Sequence, residues 1–344
     1  MHKVTVQPSG QSFEAEEGEA VLTAALRQGV MLPYGCKNGA CGSCKGKIVA
    51  GRVDYGHYHA RVLTEEERAH GKALFCQAKP LEELVIECRT IGAAKDIAVK
   101  LLPCRVQKLD KVADDVMIVQ LKLPANERLQ FLAGQYIDFL LKGGERRSFS
   151  MANSPHADEL VELHIRHVAG GNFTDHVFGK MKERDILRLE GPLGSFFLRE
   201  DSAKPVVFVA SGTGFAPIKS IIESAFYKKT ERPMVLYWGA RRPKDLYLDA
   251  LPEMWAREHA NFRYVPVISE ARPEDGWSGR GGFVHRAVME DMPDLSGHQV
   301  YACGVPIMVD SARRDFIAQC QLPEDEFYAD SFTTAADLAS DEMK

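Results

Sequence analysis

The sequence predicts a multidomain protein of α+β and α/β folds, in which a small mixed unit, an antiparallel β-barrel and a doubly wound parallel sheet follow one another. The 344 residues suffice for two or three domains, and 45% of them are hydrophobic, which can fill a core in each. In the middle of the chain the apolar residues recur with period two, which predicts strands. Towards the C-terminus short apolar runs alternate with helical stretches, which predicts a parallel sheet.

The small unit is predicted to span residues 1–93, followed by a linker over 94–102. Its predicted elements are two strands, Val4 to Pro8 and Gln11 to Glu14, a helix from Ala20 to Gln28, a cysteine-rich loop and a closing strand within Leu81 to Cys88.

The barrel is predicted over residues 103–200, the parallel-sheet domain over 201–334 and a C-terminal tail over 335–344. The predicted barrel strands are Val116 to Leu123, Gln135 to Leu141, Leu160 to Val168 and Ile186 to Leu189. The parallel sheet is predicted from strands at Val206 to Ala210, Met234 to Gly239, Phe262 to Ile268 and Gln299 to Cys303, with helices at Pro217 to Tyr227 and Pro306 to Cys320.

Composition argues against several classes of protein. A net charge of −5 and a pI near 6.1 argue against nucleic acid as a partner. The first residues lack the pattern of a signal peptide and no apolar run approaches the length of a membrane span, so we expect a cytoplasmic protein without a membrane partner. Eight cysteines in such a chain are better interpreted as metal ligands, redox residues or buried apolar residues than as disulfides.

Three of these cysteines lie in one glycine-rich loop. Cys36, Cys41 and Cys44 have the Cys-x4-Cys-x2-Cys spacing of a plant-type [2Fe–2S] cluster, and Cys76 is the candidate fourth ligand. The interleaved glycines allow backbone N–H groups to point at the sulfurs. A structural zinc site is the alternative, but it is usually built from two short cysteine pairs and only one occurs here. A Rieske-type centre would need histidine ligands, and none lies between Cys36 and Cys44.

The segment RRSFSMAN, at the end of a predicted barrel strand, resembles the Arg-x-Tyr-Ser flavin motif of the ferredoxin–NAD(P)⁺ reductase superfamily, with Phe in place of Tyr. By that resemblance Arg147 would pair with the FAD pyrophosphate and Phe149 would pack on the isoalloxazine. Ser150 would hydrogen-bond near flavin N5, and Ser148 belongs to the same segment. The pairing is chemically sensible, because an arginine fork suits phosphate oxygens and a ring suits a ring.

The segment HIRHVAGGNFTDHVF resembles the second flavin segment of that family. The residues that it implies at the cofactor are His164, Ile165 and Arg166 beside the flavin, and Gly170, Gly171 and Thr174 at its phosphates. Glycines there would let the backbone approach an anion closely. The alternative is a pair of exposed barrel strands joined by a glycine turn.

The segment VVFVASGTGFAPIKS combines an apolar strand, a glycine turn and a helix start, which aims N–H groups at a pyrophosphate. It lacks the Gly-x-Gly-x-x-Gly fingerprint but resembles the nicotinamide motif of the superfamily at Gly212, Thr213, Gly214 and Pro217. Further matches, YWGAR and YACGVPIM, add Arg241, Cys303 and Gly304.

The resemblance also implies three candidate catalytic residues, Cys303, Ser150 and Phe332. In the family, the cysteine at the position of Cys303 lies close to the nicotinamide C4, whereas a small buried residue ending a strand is the alternative. Phe332 stands where relatives carry an aromatic residue beside the flavin, and core packing is its alternative.

The resemblance covers nearly the whole chain and implies a β-grasp [2Fe–2S] ferredoxin domain, an FAD-binding barrel and an NAD-binding domain. An NAD(P)H-dependent oxidoreductase that passes electrons from FAD through the cluster to a partner protein is therefore expected. Segments such as LAGQYIDF and GFVHRAV look most like reductases that serve CDP-6-deoxy-Δ3,4-glucoseen formation in 3,6-dideoxysugar synthesis.

The expected electron acceptor is accordingly a pyridoxamine-phosphate dehydratase, and the component of an aromatic-ring dioxygenase or monooxygenase is the alternative. A third hypothesis is a carrier or regulatory module that binds redox cofactors without turnover. Scaffold and cofactor residues cannot distinguish the acceptors.

Two charge patterns predict further properties. NADPH-using relatives tend to place a Ser-Arg pair after the third strand of the nucleotide domain, where this chain has Ser269 and Glu270. NADH is therefore expected over NADPH, because a carboxylate repels a phosphate, although Arg241, Arg242 and Arg272 could supply positive charge.

The cluster loop and its flank carry four basic residues and no acidic residue, namely Lys37, Lys45, Lys47 and Arg52. This charge predicts docking of an acidic partner. The alternative is a solvated loop, or positive charge that offsets the negative cluster.

Overall fold

The computed structural model describes residues 1–92 and 97–333. The predicted tail at 335–344 and residues 94–96 of the predicted linker lie outside that part. The chain divides into two units: one comprises Met1–Ala98, Gly194–Phe196 and Asp330–Lys344, and the other Val99–Leu193 and Phe197–Ala329. No helix of the described residues combines the length and the apolar character needed to cross a bilayer.

The first unit is a mixed sheet with a helix packed beside it, as expected for a β-grasp fold. Its five-stranded sheet has the order β2-β1-β7-β3-β5, in which β1 and β7 are parallel and the other pairs antiparallel. Helix α1 buries Val21, Leu22, Ala24 and Ala25. The elements are β1 (His2–Gln7), β2 (Ser12–Ala15), α1 (Val21–Arg27), β3 (Lys45–Ala50), β4 (Val53–Asp54), α2 (Glu65–Ala69), β5 (Lys72–Leu74), β6 (Lys79–Pro80) and β7 (Leu84–Glu87).

The second unit contains the predicted antiparallel barrel. Six strands pair in the order β11-β10-β13-β8-β9-β12, all antiparallel, and a bridge between Met151 and Leu163 closes the sheet. The strand β8 begins at Lys100, inside the predicted linker. The elements are β8 (Lys100–Ala113), β9 (Val116–Lys122), β10 (Tyr136–Leu140), β11 (Arg146–Ser150), β12 (Val161–Arg166), α3 (Asn172–Gly179) and β13 (Ile186–Leu193).

The same unit contains the predicted doubly wound parallel sheet, in the order β17-β16-β15-β14-β18-β19. The central strand β14 is buried along almost its whole length, as both faces of a parallel sheet require. The elements are β14 (Val206–Ser211), α4 (Phe215–Tyr227), β15 (Met234–Ala240), α5 (Ala250–Glu258), β16 (Phe262–Ile268), β17 (Arg280–Gly281), α6 (Val284–Asp291), β18 (Gln299–Gly304), α7 (Pro306–Gln319) and β19 (Phe327–Ser331).

Candidate functional site

The four predicted cluster ligands lie together in the first unit, in two pairs. Hydrogen bonding between the thiols links Cys36 to Cys41 and Cys44 to Cys76. The backbone N–H of Cys36 also donates to Cys41 Sγ at 3.3 Å. The loop follows this path because Gly39 and Gly42 take φ values of 80° and 77°, which favour glycine.

The pairing changes the acidity of the thiols. Hydrogen bonding within each pair lowers the pKa of one member, to about 6 for Cys41 with Cys36 as donor and likewise downward for Cys76 with Cys44. The pKa values of Cys36 and Cys44 rise because each thiol keeps the proton that it donates in a hydrogen bond, to Cys41 and Cys76 respectively. Thiolates are the form that binds iron, so the site is prepared for a metal.

The arrangement fits a two-iron cluster better than a single metal ion. A zinc site would need four ligands around one point, whereas a [2Fe–2S] cluster is held by four thiolates over two irons. Two thiol pairs meet the second requirement.

The two predicted flavin segments meet in the second unit. Phe149 of β11 packs against Phe173 in the first turn of α3, with ring centroids 5.4 Å apart, and against Phe139 of β10 at 5.9 Å. Beside this contact Gly170 has a φ of 78° and open space where a Cβ would sit. The start of α3 is therefore accessible to a phosphate, and the residues present fit a flavin nucleotide.

Other residues of the first flavin segment have partners within the protein. Arg147 lies 3.0 Å from Glu145, and Ser148 donates its hydroxyl hydrogen bond to Asp138 at 2.6 Å. Because side chains alternate along a strand, Ser148 faces away from Arg147 and Phe149. Ser150 is buried at the end of β11, opposite Tyr136.

The second flavin segment also divides between the two faces of its strand. Ile165 is buried in the barrel core, and the imidazole of His164 is fully buried. His164 Nδ1 lies 2.9 Å from the Tyr247 hydroxyl and Nε2 lies 3.2 Å from Glu162. The imidazole of His164 thus already has two partners within the protein, and its predicted place at the cofactor stays a prediction. Thr174 binds the Val168 backbone through its hydroxyl.

A cavity of about 570 Å³ opens where the barrel strand β12 meets the parallel sheet. Three predicted residues line it together, namely Arg166, Gly212 and Arg241. Arg166 packs directly on the Gly212 backbone, where a Cβ would overlap the guanidinium. Its Nε lies 3.1 Å from Asp115 in an ion pair that is not aligned as a hydrogen bond. The barrel thus contributes a cation to the nucleotide cavity.

The glycine turn after β14 is packed too tightly for other residues. A Cβ on Gly214 would overlap the Cys303 carbonyl, and one on Gly304 would overlap the Ser211 side chain. Thr213 and Pro217 are buried in the turn and in the first turn of α4. Cys303 is fully buried and does not line the cavity.

Sequence analysis missed several cavity residues. Phe283 and Ile307 line the cavity and remain 67% and 74% exposed, which is unusual for large apolar side chains and marks a surface for a ring. Their exposure depends on the fold, so no sequence pattern indicates it. Ser211 and Asp245 were also missed.

Phe332, half-buried after β19, belongs to the first unit, so its predicted place beside the flavin stays a prediction.

Sequence models of three protein families match the chain in the predicted order. The 2Fe-2S iron-sulfur cluster binding domain matches residues 4–81, the oxidoreductase FAD-binding domain 103–198 and the oxidoreductase NAD-binding domain 208–314.

Individual proteins are similar over the whole chain. The CDP-6-deoxy-L-threo-D-glycero-4-hexulose-3-dehydrase reductase of Yersinia pseudotuberculosis is 41% identical over 96% of this chain and 98% of its own. The phenol hydroxylase P5 protein of Acinetobacter pittii is 36% identical over 100% of this chain and 98% of its own. The crystal structure of the Amycolatopsis cytochrome P450 reductase GcoB aligns with a TM-score of 0.76 and 35% identity, over 97% of this chain and 100% of that one.

Proposed function

Because this chain belongs to the iron–sulfur flavoprotein reductases of the ferredoxin–NAD(P)⁺ reductase superfamily, we propose that it delivers electrons from NADH to the dehydratase of CDP-6-deoxy-Δ3,4-glucoseen formation. Its [2Fe–2S], FAD-binding and NAD-binding domains make it an NAD(P)H-dependent oxidoreductase. The single observation that carries the choice of acceptor is the 41% identity to the Yersinia reductase.

FAD, when bound, would supply the acceptance of hydride and the release of single electrons, and the cluster would supply a one-electron outlet. The residues of the chain bind and orient these groups. The four cysteines would hold the irons, Arg147 and the start of α3 the flavin phosphates, and the turn at Gly212–Gly214 the nucleotide pyrophosphate. Ser150, Cys303 and Phe332 are the proposed residues at the reacting atoms. Cys303 is fully buried, and its carbonyl packs against Gly214 of the nucleotide turn.

Preference for NADH is part of the proposal. Ser269 lines the nucleotide cavity, and Glu270, which follows it, is exposed with its backbone N–H bonded to the Arg241 carbonyl at 2.9 Å. A carboxylate beside the rim of this cavity disfavours binding of NADPH, because it repels the 2′-phosphate of that nucleotide. Comparing kcat/KM for NADH and NADPH with ferricyanide tests this preference, and equal efficiencies would overturn it.

The acceptor is tested by direct reconstitution. Purified dehydratase, with its proposed pyridoxamine-phosphate cofactor and CDP-hexulose substrate, should be reduced faster than a purified phenol hydroxylase or ring dioxygenase at equal concentration. The reverse order would transfer the proposal to the second candidate, an oxygenase, which the similarity to the phenol hydroxylase protein favours. Absence of steady NADH-driven cytochrome c reduction would instead support a carrier module.

A cytoplasmic location completes the proposal. None of the eight cysteines, all of which lie in the described residues, is joined in a disulfide, and reduced cysteines persist in the cytoplasm. Cell fractionation of the native protein would test this assignment.

A further inference from the structure

Two arginines directly follow β15, where they could alter the choice of nucleotide. In doubly wound folds an acidic residue near this strand end binds the ribose 2′-hydroxyl of NAD, whereas an arginine accommodates the 2′-phosphate of NADP. Here Arg241 and Asp245 line the cavity, and Arg242 lies between them in the sequence. The end of β16 meets the same rim, since Ser269 N–H donates to the Ala240 carbonyl at 3.0 Å. An available guanidinium on Arg242 would therefore favour NADPH.

The guanidinium of Arg242 is occupied by carboxylates of the segment that follows β16. Its Nε donates to Asp275 Oδ2 at 2.6 Å and its Nη2 to Asp275 Oδ1 at 2.5 Å, which is a bidentate pair. Glu274 lies 3.4 Å from the same Nη2. The side chains of Arg242 and Asp275 are only 17% and 15% exposed.

Asp275 is itself held in place. It accepts the backbone N–H of Arg272 at 2.9 Å, which fixes the short 3-10 turn that begins at Pro273. Donation from Arg242 lowers the pKa of Asp275, so its carboxylate is charged at neutral pH. The second nearby cation, Arg272, lies 3.7 Å from Glu274. Two carboxylates thus compensate two guanidinium groups at this rim.

We propose that Asp275, assisted by Glu274, determines nucleotide specificity by holding Arg242 in an internal ion pair and so denying it to a 2′-phosphate. The inference rests on the proposed preference for NADH and identifies the residues that enforce it. One of the two arginines that follow β15 is thus held by its own neighbours, while Arg241 lines the cavity.

The test uses the flavin- and cluster-loaded protein, with 2′,5′-ADP as the probe for a 2′-phosphate and 5′-AMP as the probe without one. Isothermal titration calorimetry gives both dissociation constants for the wild type and for the double variant Glu274→Gln, Asp275→Asn. Asparagine keeps an oxygen for the Arg272 N–H, so the turn is preserved. Asp294→Asn is the matched control, because Asp294 caps an exposed turn by accepting the Ser296 N–H.

The double variant should bind 2′,5′-ADP at least tenfold more tightly than the wild type, with 5′-AMP binding changed less than twofold and NADPH kcat/KM raised in parallel. Adding Arg242→Ala should remove the gain, and Asp294→Asn should produce none. If the wild type prefers 5′-AMP and the double variant shows no gain in affinity for 2′,5′-ADP, the proposal for Asp275 is overturned while the NADH preference stands. A wild type that already binds 2′,5′-ADP as tightly as the double variant overturns both the proposal and the NADH preference.

Discussion

Ser195 hydrogen-bonds to both backbone groups of Tyr34, two residues before the first cluster cysteine. Its hydroxyl accepts the Tyr34 N–H at 2.8 Å and donates to the Tyr34 carbonyl at 2.9 Å, and its own N–H donates to that carbonyl at 3.1 Å. All of these groups are buried. The entrance to the cluster loop is therefore fixed by a residue 161 positions away in the sequence.

Replacement of Ser195 by Ala should destabilise the cluster loop. The change leaves the buried Tyr34 N–H without its acceptor, which costs about 1–3 kcal/mol. We expect earlier loss of visible cluster absorbance in denaturant and faster iron release to a chelator. Ser9→Ala, at an exposed serine of the same unit, is the control and should change neither. Release rates in Ser195→Ala equal to those of the wild type would contradict a positioning role.

Replacement of Cys41 by Ser should separate the two redox functions. Loss of one thiolate should remove cluster absorbance and cytochrome c reduction, whereas NADH–ferricyanide activity should persist because the flavin segments lie in the other unit. Cys88→Ser is the matched control, since Cys88 is a buried thiol of the same unit outside the two pairs. Full cytochrome c activity in Cys41→Ser would refute the electron route through the cluster.

The fold and the presence of a [2Fe–2S] domain could be predicted because their signals are local. Ligand spacing is read within one loop, and strand periodicity within a few residues. Contacts between distant residues could not be predicted. His164 is paired with Tyr247, 83 positions away, and Ser148 is turned towards Asp138 by the pairing of β10 with β11. Both were assigned to the flavin from sequence, and that assignment stays a prediction beside these contacts within the protein.

The pairing of His164 predicts a pH dependence of stability. Burial lowers the pKa of His164 below its usual value, so the folded protein holds it neutral, with Nδ1 2.9 Å from the Tyr247 hydroxyl. A histidine in the unfolded chain titrates at about pH 6.5, so below that pH the unfolded chain binds more protons than the folded protein. The free energy of unfolding therefore decreases as the pH falls towards the lowered pKa of the folded protein. Burial opposes the charge of Glu162, the other partner, but its hydrogen bond with His164 and the nearby Lys219 ammonium outweigh burial and lower its pKa to about 2. Its contribution to stability is therefore lost only between about pH 4.5 and 2.

His164→Gln should therefore flatten the loss of stability between pH 7.5 and 5.5, by about 1.4 kcal/mol for each unit by which the histidine pKa is lowered. Denaturant unfolding followed by tryptophan fluorescence reports on the second unit, which contains all three tryptophans. His176→Gln, at a partly exposed histidine of α3 in the same unit, should keep the wild-type slope. An unchanged slope in His164→Gln would show that this imidazole does not control the effect.

The basic cluster loop has less uncompensated charge than its sequence indicates. Lys45 pairs with Glu67 at 2.7 Å and Arg52 with Glu82 at 3.2 Å, so two of the four predicted cations already have acidic partners. Lys37 is exposed within the loop itself, with Nζ 5.0 Å from the centroid of the Tyr34 ring. Lys37 lies between the first two cluster cysteines, so it is the residue of the four that we choose for testing the steering of an acidic partner.

Lys37→Glu should slow reduction of the native acceptor by on the order of tenfold at low ionic strength, because electrostatic steering acts on the association rate. The difference from the wild type should shrink as salt is added, since screening shortens the range of the charge. NADH–ferricyanide turnover should stay unchanged, because the acceptor in that assay does not need the docking surface.

Lys3→Glu is the control, because it makes the same charge change at an exposed lysine of β1. It should have little effect, which separates local steering from the effect of net charge. Stopped-flow reduction of the acceptor across a salt series decides the matter. Equal, salt-independent rates for the wild type and Lys37→Glu would favour a merely solvated loop and place the docking surface elsewhere.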